Sequence, residues 1–445
     1  MTMQGTDRPM EIAVIGSGIS GLSAAWLLST RHKVSLFEAD GRLGGHSNTI
    51  KAGDKWVDTG FIVYNEATYP NLTALFDHVG VSTKPSHMSF AVSLDEGRLE
   101  YSGTGLGGLF AQPANVARPR FWRMLRELLR FYREAPFDIS RIDEISLADY
   151  LDARGYGAAF REDHLYPMAA AIWSTPAAEV GSYPAAAFIR FCENHGLLKL
   201  AGRPLWRTVD GGSREYVKRL TDRMAGEIFP GRGIRSVARN SGAVQLTDTD
   251  GTEHRFDHVV IATHANQALR MLADPSRDEH RLLGAFGYSR NKALLHSDPR
   301  LMPRRRRAWS SWNYLADTHG ETSKLSVTYW MNRLQSLPDE QPLFVTLNPA
   351  VEPEEGAVYH RETYEHPAFD ASAMRAQRLL WSLQGMRNTW FCGAYFGAGF
   401  HEDGLQAGLA VAETLGGVRR PWNVRDESGR IHISDVGRPP LPVAA

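Results

Sequence analysis

A chain of 445 residues exceeds what one compact hydrophobic core holds, and its length predicts two domains. Lys plus Arg and Asp plus Glu both number 50, so no charge imbalance points to nucleic acid, and 43% hydrophobic with 22% charged residues is ordinary for a globular protein. Cys192 and Cys392 fit no metal or redox spacing and read as packed thiols of a reducing compartment. Met1 to Pro9 is polar and does not read as a signal peptide. No apolar run approaches the ~18–20 residues that span a bilayer, so a cytoplasmic location is expected, with membrane-surface contact left open.

The first elements carry the strongest signal. Glu11 to Ile15 is a short apolar strand that meets Gly16, Gly18 and Gly21. A helical stretch, Ile19 to Ser29, follows, then a second apolar strand, Val34 to Phe37, closed by Glu38. This strand–GxGxxG–helix–strand–acid order is that of a dinucleotide fold. Gly16 makes the tight turn, Gly18 admits a pyrophosphate to the backbone, and Gly21 lets helix and strand pack closely. The helix start offers free N–H groups and a positive dipole end to phosphates. Glu38, about 20 residues on, is placed for a ribose hydroxyl. The segment from Ala39 through Arg42, Gly44, Gly45 and His46 to Thr49 resembles the R-x-G-G-x-x-T extension of many FAD enzymes, with His46 where many relatives have arginine. Arg42 and the glycine turn would bring a forked cation and backbone donors to the phosphates.

Thr49 to Val57 reads as a hairpin. In Val57 to Asn65, Gly60 suits close backbone approach to a flat ring, while Tyr64 and Asn65 carry polar tips that either enter a site or end a buried strand. Tyr69 to Gly80 reads as a helix, Met88 to Tyr101 as a hairpin, and glycine-rich Ser102 to Gly108 as a mobile loop. In Arg118 to Pro136, apolar Phe121, Trp122, Leu125, Leu128, Leu129 and Tyr132 recur at helical spacing beside six arginines, up to Arg133. Two readings stand for this helix: core packing with solvated arginines, and contact with an anionic membrane surface. Ser146 caps a further helix. The stretch from His164 to Ile172 is small and apolar, ending at Trp173, and these helix-rich segments read as substrate-binding.

Ser213 is a candidate cap for the helix Arg214 to Met224, after which Ile234 to Phe256 reads as a three-stranded meander. Val259 to Thr263, with Ala262, is a buried parallel strand. Tyr288 to Leu295, Trp309 to Tyr314, Lys324 to Met331 and Leu343 to Leu347 are strands rich in β-branched and aromatic residues. Arg304 to Arg307 reads as a solvated loop, with phosphate or headgroup contact as the lesser reading. Thr389 to Tyr395 is an apolar strand meeting Gly393, and a helix opens near His401. Beyond Arg420 the proline-rich tail is expected to be loosely held.

These pieces, GSGISG, EADGRLGGHSNT, VDTGFIVYN, GGS, VVIAT and FCGAYFGAGFHEDGLQAG, resemble the flavin-containing amine oxidoreductase superfamily. VDTGFIVYNEATYPNL, LEYSGTGLGGLFAQ, MAAAIWS, and YSRNKALLHSD followed by SSWNYL resemble a bacterial subgroup associated with cyclopropane-fatty-acid-synthase-like methyltransferases, similar to the desaturase of furan fatty acid biosynthesis. The resemblance implies an α/β fold: a Rossmann-type FAD-binding domain of the amine oxidase kind from 10–75, 205–275 and 385–420. An inserted α+β substrate domain would span 76–204 and 276–384, with 421–445 as a tail. It implies noncovalent FAD, held by Gly16, Ser17, Gly18, Ile19, Ser20, Gly21, Glu38, Ala39, Arg42, Gly44, Gly45 and His46. Val237 would meet the adenine. Gly60, Phe61 and Ile62 would line the isoalloxazine, with Gly393, Leu405 and Gln406 beside its pyrimidine, and Ala262, Thr263 and Gly404 would also bind the cofactor.

Lys292 falls in the strand where amine oxidases place a lysine near flavin N5, and is otherwise a lysine reaching solvent. Tyr64 and His401 are candidate bases; Tyr64, Asn65, Trp173, Tyr329 and Tyr395 are candidate substrate contacts. No metal is implied. The expected activity is an FAD-dependent desaturation of a fatty acyl chain of membrane phospholipid, the Arg118–Arg133 helix meeting the membrane and a lipid methyltransferase as a partner. Alternatives are a peroxide-producing amine oxidase, a carotenoid-type desaturase, and a non-catalytic flavoprotein partner of the methyltransferase.

Overall fold

A computed structural model describes residues 8–139, 141–142, 145–173, 180–194, 196–199, 202–240, 242–317 and 324–434. Glu11–Ile15 lies at the centre of a five-stranded parallel sheet, flanked by Lys33–Phe37 and His258–Ile261, with Gly226–Phe229 and Thr389–Phe391 outermost. Its strands therefore come from the start, middle and end of the chain. The central strands are covered on both faces, which is why they read as unbroken apolar runs. Helix Ile19–Leu28 is buried on every side, between this sheet and helix His401–Gly416. Small residues make that possible: a Cβ on Gly408 would stand 2.2 Å from the Ser20 carbonyl oxygen.

A three-stranded antiparallel meander, Ile234–Asn240, Ala243–Asp248 and Glu253–Phe256, packs beside the parallel sheet. A seven-stranded sheet forms the second unit. Its spatial order is Val358–Ala368, Gly287–His296, Phe344–Leu347, Lys324–Trp330, Trp312–Asp317, Phe90–Leu94 and Leu99–Ser102. The parallel pairing of Trp312–Asp317 with Phe90–Leu94 joins the two stretches of chain that build this sheet. Helices Pro119–Asp138, Leu147–Ala153, Tyr166–Trp173 and Ala185–Asn194 share a core with Val92, Tyr314 and Val327 of the sheet.

Three local expectations differ from what is observed. The glycine-rich stretch expected to be a mobile loop closes into the short helix Leu106–Leu109, with the Leu109 N–H donating to the Gly105 carbonyl. Ser213 does not cap its helix, because its N–H and hydroxyl both donate to the buried Asp58 carboxylate. The tail is anchored as far as residue 434: Trp422 stacks on Trp26 at 6.0 Å, buried Arg420 pairs with Glu413, and Arg430 pairs with Asp403 at 2.6 Å. The remaining tail, 435–445, lies outside the described residues.

Candidate functional site

The nucleotide end of the site is built by backbone. Gly16 has φ +97, and a Cβ there would lie 2.9 Å from the Ala262 carbonyl oxygen, so only glycine makes this turn. Gly18, next in the loop, has open space where a Cβ would be. Helix Ile19–Leu28 starts without a side-chain cap, and Gly16 to Ser20 line one large cavity. Gly21 lies beneath the wall, packed on the Gly16 carbonyl, as close helix–strand packing requires. Glu38 Oε2 accepts the Ser17 N–H at 2.8 Å and its hydroxyl at 2.6 Å, while Oε1 accepts the Asp40 N–H at 2.9 Å. A carboxylate has about four acceptor positions, so a fixed Oε1 retains one for a ribose hydroxyl.

Ala39, Arg42, Gly45 and His46 also line the cavity, and Arg42 is oriented by donation to the Gly45 carbonyl at 2.7 Å. Gly44 stands behind the wall, its N–H bound to Ser17. Val237 does not reach the cavity. It lies within its strand, fully buried, with its carbonyl accepting from Ala273; Gly233, Ile234, Arg235 and Thr249 form that part of the wall instead.

At the other end Gly60, Phe61, Ile62, Ala262, Thr263 and Gly393 converge on the same cavity. A Cβ on Gly60 would stand 2.1 Å from the His46 carbonyl oxygen, so the backbone here is exposed by necessity. Helix His401–Gly416 directs its N-terminus to this wall through Ala398 to His401. Gly404, Leu405 and Gln406 stand one turn behind: Gly404 packs on Ser20, Leu405 is buried, and Gln406 bonds Glu402 and the Arg430 N–H.

The candidate bases fare differently. His401 lines the cavity, stacked on Phe61 at 3.8 Å and bonded to the Tyr216 hydroxyl at 2.7 Å. Burial pushes its pKa down to about 3, so it is neutral near pH 7 and too weak for a general base. Tyr64 is 2% exposed and off the cavity wall, and Asn65 spends its carbonyl oxygen on the N–H and hydroxyl of Thr68. Lys292 is exposed on the outer face of its strand. On the paired strand Glu362 to Pro367 all line the cavity, Thr363 opposite Lys292 among them, but Lys292 itself does not. No lysine lines the cavity among the described residues. Tyr329 and Tyr395 do line it, whereas the Trp173 side chain lies outside the described residues.

Two groups escaped the sequence. His46, His264 and His366 gather near Tyr364, with ring centroids 5.5 Å apart for His46 and His366. Burial lowers all three, His366 to about 4. His164 sits in a π-turn, Arg161–Leu165, a local form frequent at functional sites. Its ring meets the hydroxyls of Tyr101 at 2.9 Å and Tyr132 at 3.4 Å. The partners come from distant segments, so no spacing announced them.

The cavity measures about 2050 Å³, beyond the range of about 300–1,000 Å³ usual for one small ligand. Past the flavin end it continues between Met88, Phe90, Leu125, Leu128, Met168 and Phe191. A backbone cradle for a pyrophosphate, an acid for a ribose, and an apolar second chamber define a flavoprotein with its substrate space beside the nucleotide. The chain belongs to the family described as flavin containing amine oxidoreductase, matched over residues 19–415, and its cofactor is FAD.

The chain is 22% identical to a "Probable flavin-containing monoamine oxidase A" of Dictyostelium discoideum, over 61% of each chain. It is 26% identical to a 15-cis-phytoene desaturase of Arabidopsis thaliana, over 37% of this chain and 32% of that one. It thus spans less than two thirds of the length of these relatives. Among solved structures, putrescine oxidase bound to putrescine superposes with TM-score 0.66 at 15% identity, covering 92% of this chain and 99% of that one. A CLA-producing fatty acid isomerase from P. acnes gives 0.62 at 15% identity, covering 91% and 97%. These likenesses show the fold.

Proposed function

We propose that the protein is an FAD-dependent desaturase of fatty acyl chains of membrane phospholipid, of the kind associated with cyclopropane-fatty-acid-synthase-like methyltransferases. One observation carries the reading: the second chamber is apolar, and no free carboxylate faces it among the described residues. The cavity's carboxylates are Glu38, Asp40, Glu362 and Glu365. Glu38 is engaged by Ser17, Asp40 and Glu362 stand 4.0 and 3.9 Å from Arg42, and Glu365 stands 3.8 Å from Arg290. A cationic amine would bury its charge there without a partner, at a cost of several kcal/mol.

FAD held by the Gly16–Ser20 turn and Glu38 would supply a two-electron acceptor for hydride, and the proton lost from the adjacent carbon as the double bond forms would pass to water at the cavity mouth. The protein's part is to hold the chain and keep water out. Leu125, Leu128 and Met168 confine an alkyl chain, and Phe400 and Tyr395 close the wall beside Gly393. The helix N-terminus at His401 adds a positive dipole end to this wall.

Helix Pro119–Asp138 supports delivery from a bilayer. Phe121, Met124 and Phe131 enter the core, but Trp122 and Leu129 line the cavity while 49% and 50% exposed. Exposed Arg123 and Arg126 flank them without a carboxylate partner among the described residues. No described helix is long and apolar enough to cross a membrane, so the contact would be peripheral, at the cytoplasmic surface.

The test is anaerobic loss of oxidised-flavin absorbance near ~450 nm, the signature of the cofactor's electron uptake. Phospholipids with methylated unsaturated chains are expected to bleach the flavin and to yield a product two hydrogens lighter. Bleaching by polyamines but not by lipid would overturn the proposal.

A further inference from the structure

The arginine run at 304–307 divides in two. Arg304 pairs with Glu96 at 2.6 Å and Arg305 with Glu100 at 2.9 Å. No carboxylate among the described residues pairs with Arg306, nor with Arg333 beyond the end of a neighbouring strand, and both are exposed. Each lies instead on an indole. The Arg306 guanidinium carbon is 3.8 Å from the Trp309 ring centre and 4.8 Å from that of Trp330, and Arg333 is 5.0 Å from Trp330. Two cations held against one ring repel each other, and an anion between them would relieve that repulsion.

A second observation points the same way. Trp330 is 7% exposed and Ser86 8%, and neither the indole N–H nor the Ser86 hydroxyl has a hydrogen-bond partner among the described residues. A buried donor without an acceptor is costly and rare in native structures. The backbone binds these groups into one place: the His87 N–H donates to the Arg333 carbonyl at 3.3 Å, and the Trp330 N–H to the Ser311 carbonyl at 2.9 Å. All of them line the cavity that holds the flavin wall. Trp312 and Tyr329, with ring centres 5.4 Å apart, pack with Met88 and Ile62, and Ile62 belongs to that wall.

We propose that this arginine–tryptophan shelf binds the anionic end of the substrate, a carboxylate or a phosphate, with Arg306 and Arg333 as the charge partners and the Trp330 N–H as a fixed donor. The inference rests on the acyl-chain reading and adds a specificity element to it. With the head fixed, the apolar chain would run inward along the cavity wall towards the flavin end. The number of carbons between head and flavin then selects the bond that is oxidised.

The experiment is titration calorimetry on the FAD-loaded enzyme with three monomeric probes of one chain: oleate, methyl oleate and oleoyl lysophosphatidic acid. The wild type is expected to bind at least one anion about tenfold more tightly than the ester, as charge-assisted hydrogen bonds allow. Preference for oleate identifies a carboxylate, and preference for the lysophosphatidic acid a phosphate. Arg306→Gln/Arg333→Gln should lower anion affinity to that of the ester and leave ester affinity unchanged, which also reports an intact chamber. Trp330→Phe, which keeps the packing and removes the N–H, should lose about threefold for the anion alone. Equal binding of acid and ester by the wild type, or discrimination that survives in the double variant, overturns the shelf and leaves the acyl-chain reading standing. Binding of none of the three overturns both.

Discussion

Replacing Trp122 and Leu129 with serine tests whether the cavity mouth meets a membrane. Both side chains stand about half exposed, at 49% and 50%, beside the arginines of the same helix. Full burial of a large apolar side chain contributes about 1.5–3 kcal/mol, so covering the exposed half of each adds roughly 1 kcal/mol. Losing both should weaken binding to vesicles by about 2 kcal/mol, roughly 30-fold. Arg123→Gln/Arg126→Gln should cost a further ~1 kcal/mol per charge on anionic vesicles and nothing on zwitterionic ones. The charge component should fade as salt shortens the Debye length below ~8 Å. The assay is co-sedimentation with sucrose-loaded vesicles of phosphatidylcholine, with and without phosphatidylglycerol. FAD content should be unchanged, because the Trp122 indole donates to the Val116 carbonyl and packs on Phe110, away from the glycine turn and Glu38. Vesicle binding that is absent in the wild type, or indifferent to the apolar pair, would refute the reasoning.

Glu38→Gln should weaken FAD about 10- to 100-fold in a fluorescence titration of apoprotein, since charge-assisted hydrogen bonds contribute about 1.5–3 kcal/mol and the Ser17 N–H and hydroxyl would face an amide. Lys292→Met should leave stopped-flow rates of flavin reduction and reoxidation within twofold of wild type, because the lysine is exposed away from the cavity. Acid should destabilise the protein through His164, which burial lowers from 6.5 to about 4. A depressed folded pKa means the unfolded chain binds the extra proton first. This stabilisation is therefore complete above pH 6.5 and lost as pH falls towards 4, by roughly 3 kcal/mol. Thermal melts from pH 4.5 to 7.5 should show a shallower decline for His164→Gln, and an unchanged slope would count against that origin.

What the sequence revealed and what it concealed follow from one physical distinction. The nucleotide cradle is a local object: Gly16, Gly18, Glu38 and Gly45 bind through backbone or through one short acid, and their order along the chain is their order in space. Four strands of the parallel sheet were equally legible, because strands covered on both faces have no polar alternation to misread, whereas the partly exposed edge strand Gly226–Phe229 was missed. Side-chain direction on the large antiparallel sheet is different, since a shift of one residue turns every side chain to the other face. Lys292 is exposed between buried Asn291 and Ala293, and that single step places the lysine in solvent.

The same distinction accounts for Val237, two residues past the wall at Arg235, and for Gly404 to Gln406, one helical turn behind His401. In each case the motif was correctly placed on its element and the contact surface was not. Arg306 and Arg333 are the opposite case. They are 27 positions apart in sequence and meet only because the strands Trp312–Asp317 and Lys324–Trp330 pair, setting Trp312 against Tyr329 and carrying Trp330 back beside Trp309. Substrate recognition in this fold is therefore assembled by sheet pairing, while cofactor recognition is carried by turns. Two proteins can accordingly share every cofactor motif and differ wholly in what they oxidise, which is why the cavity wall, and not the glycine pattern, bears on amine against acyl chain.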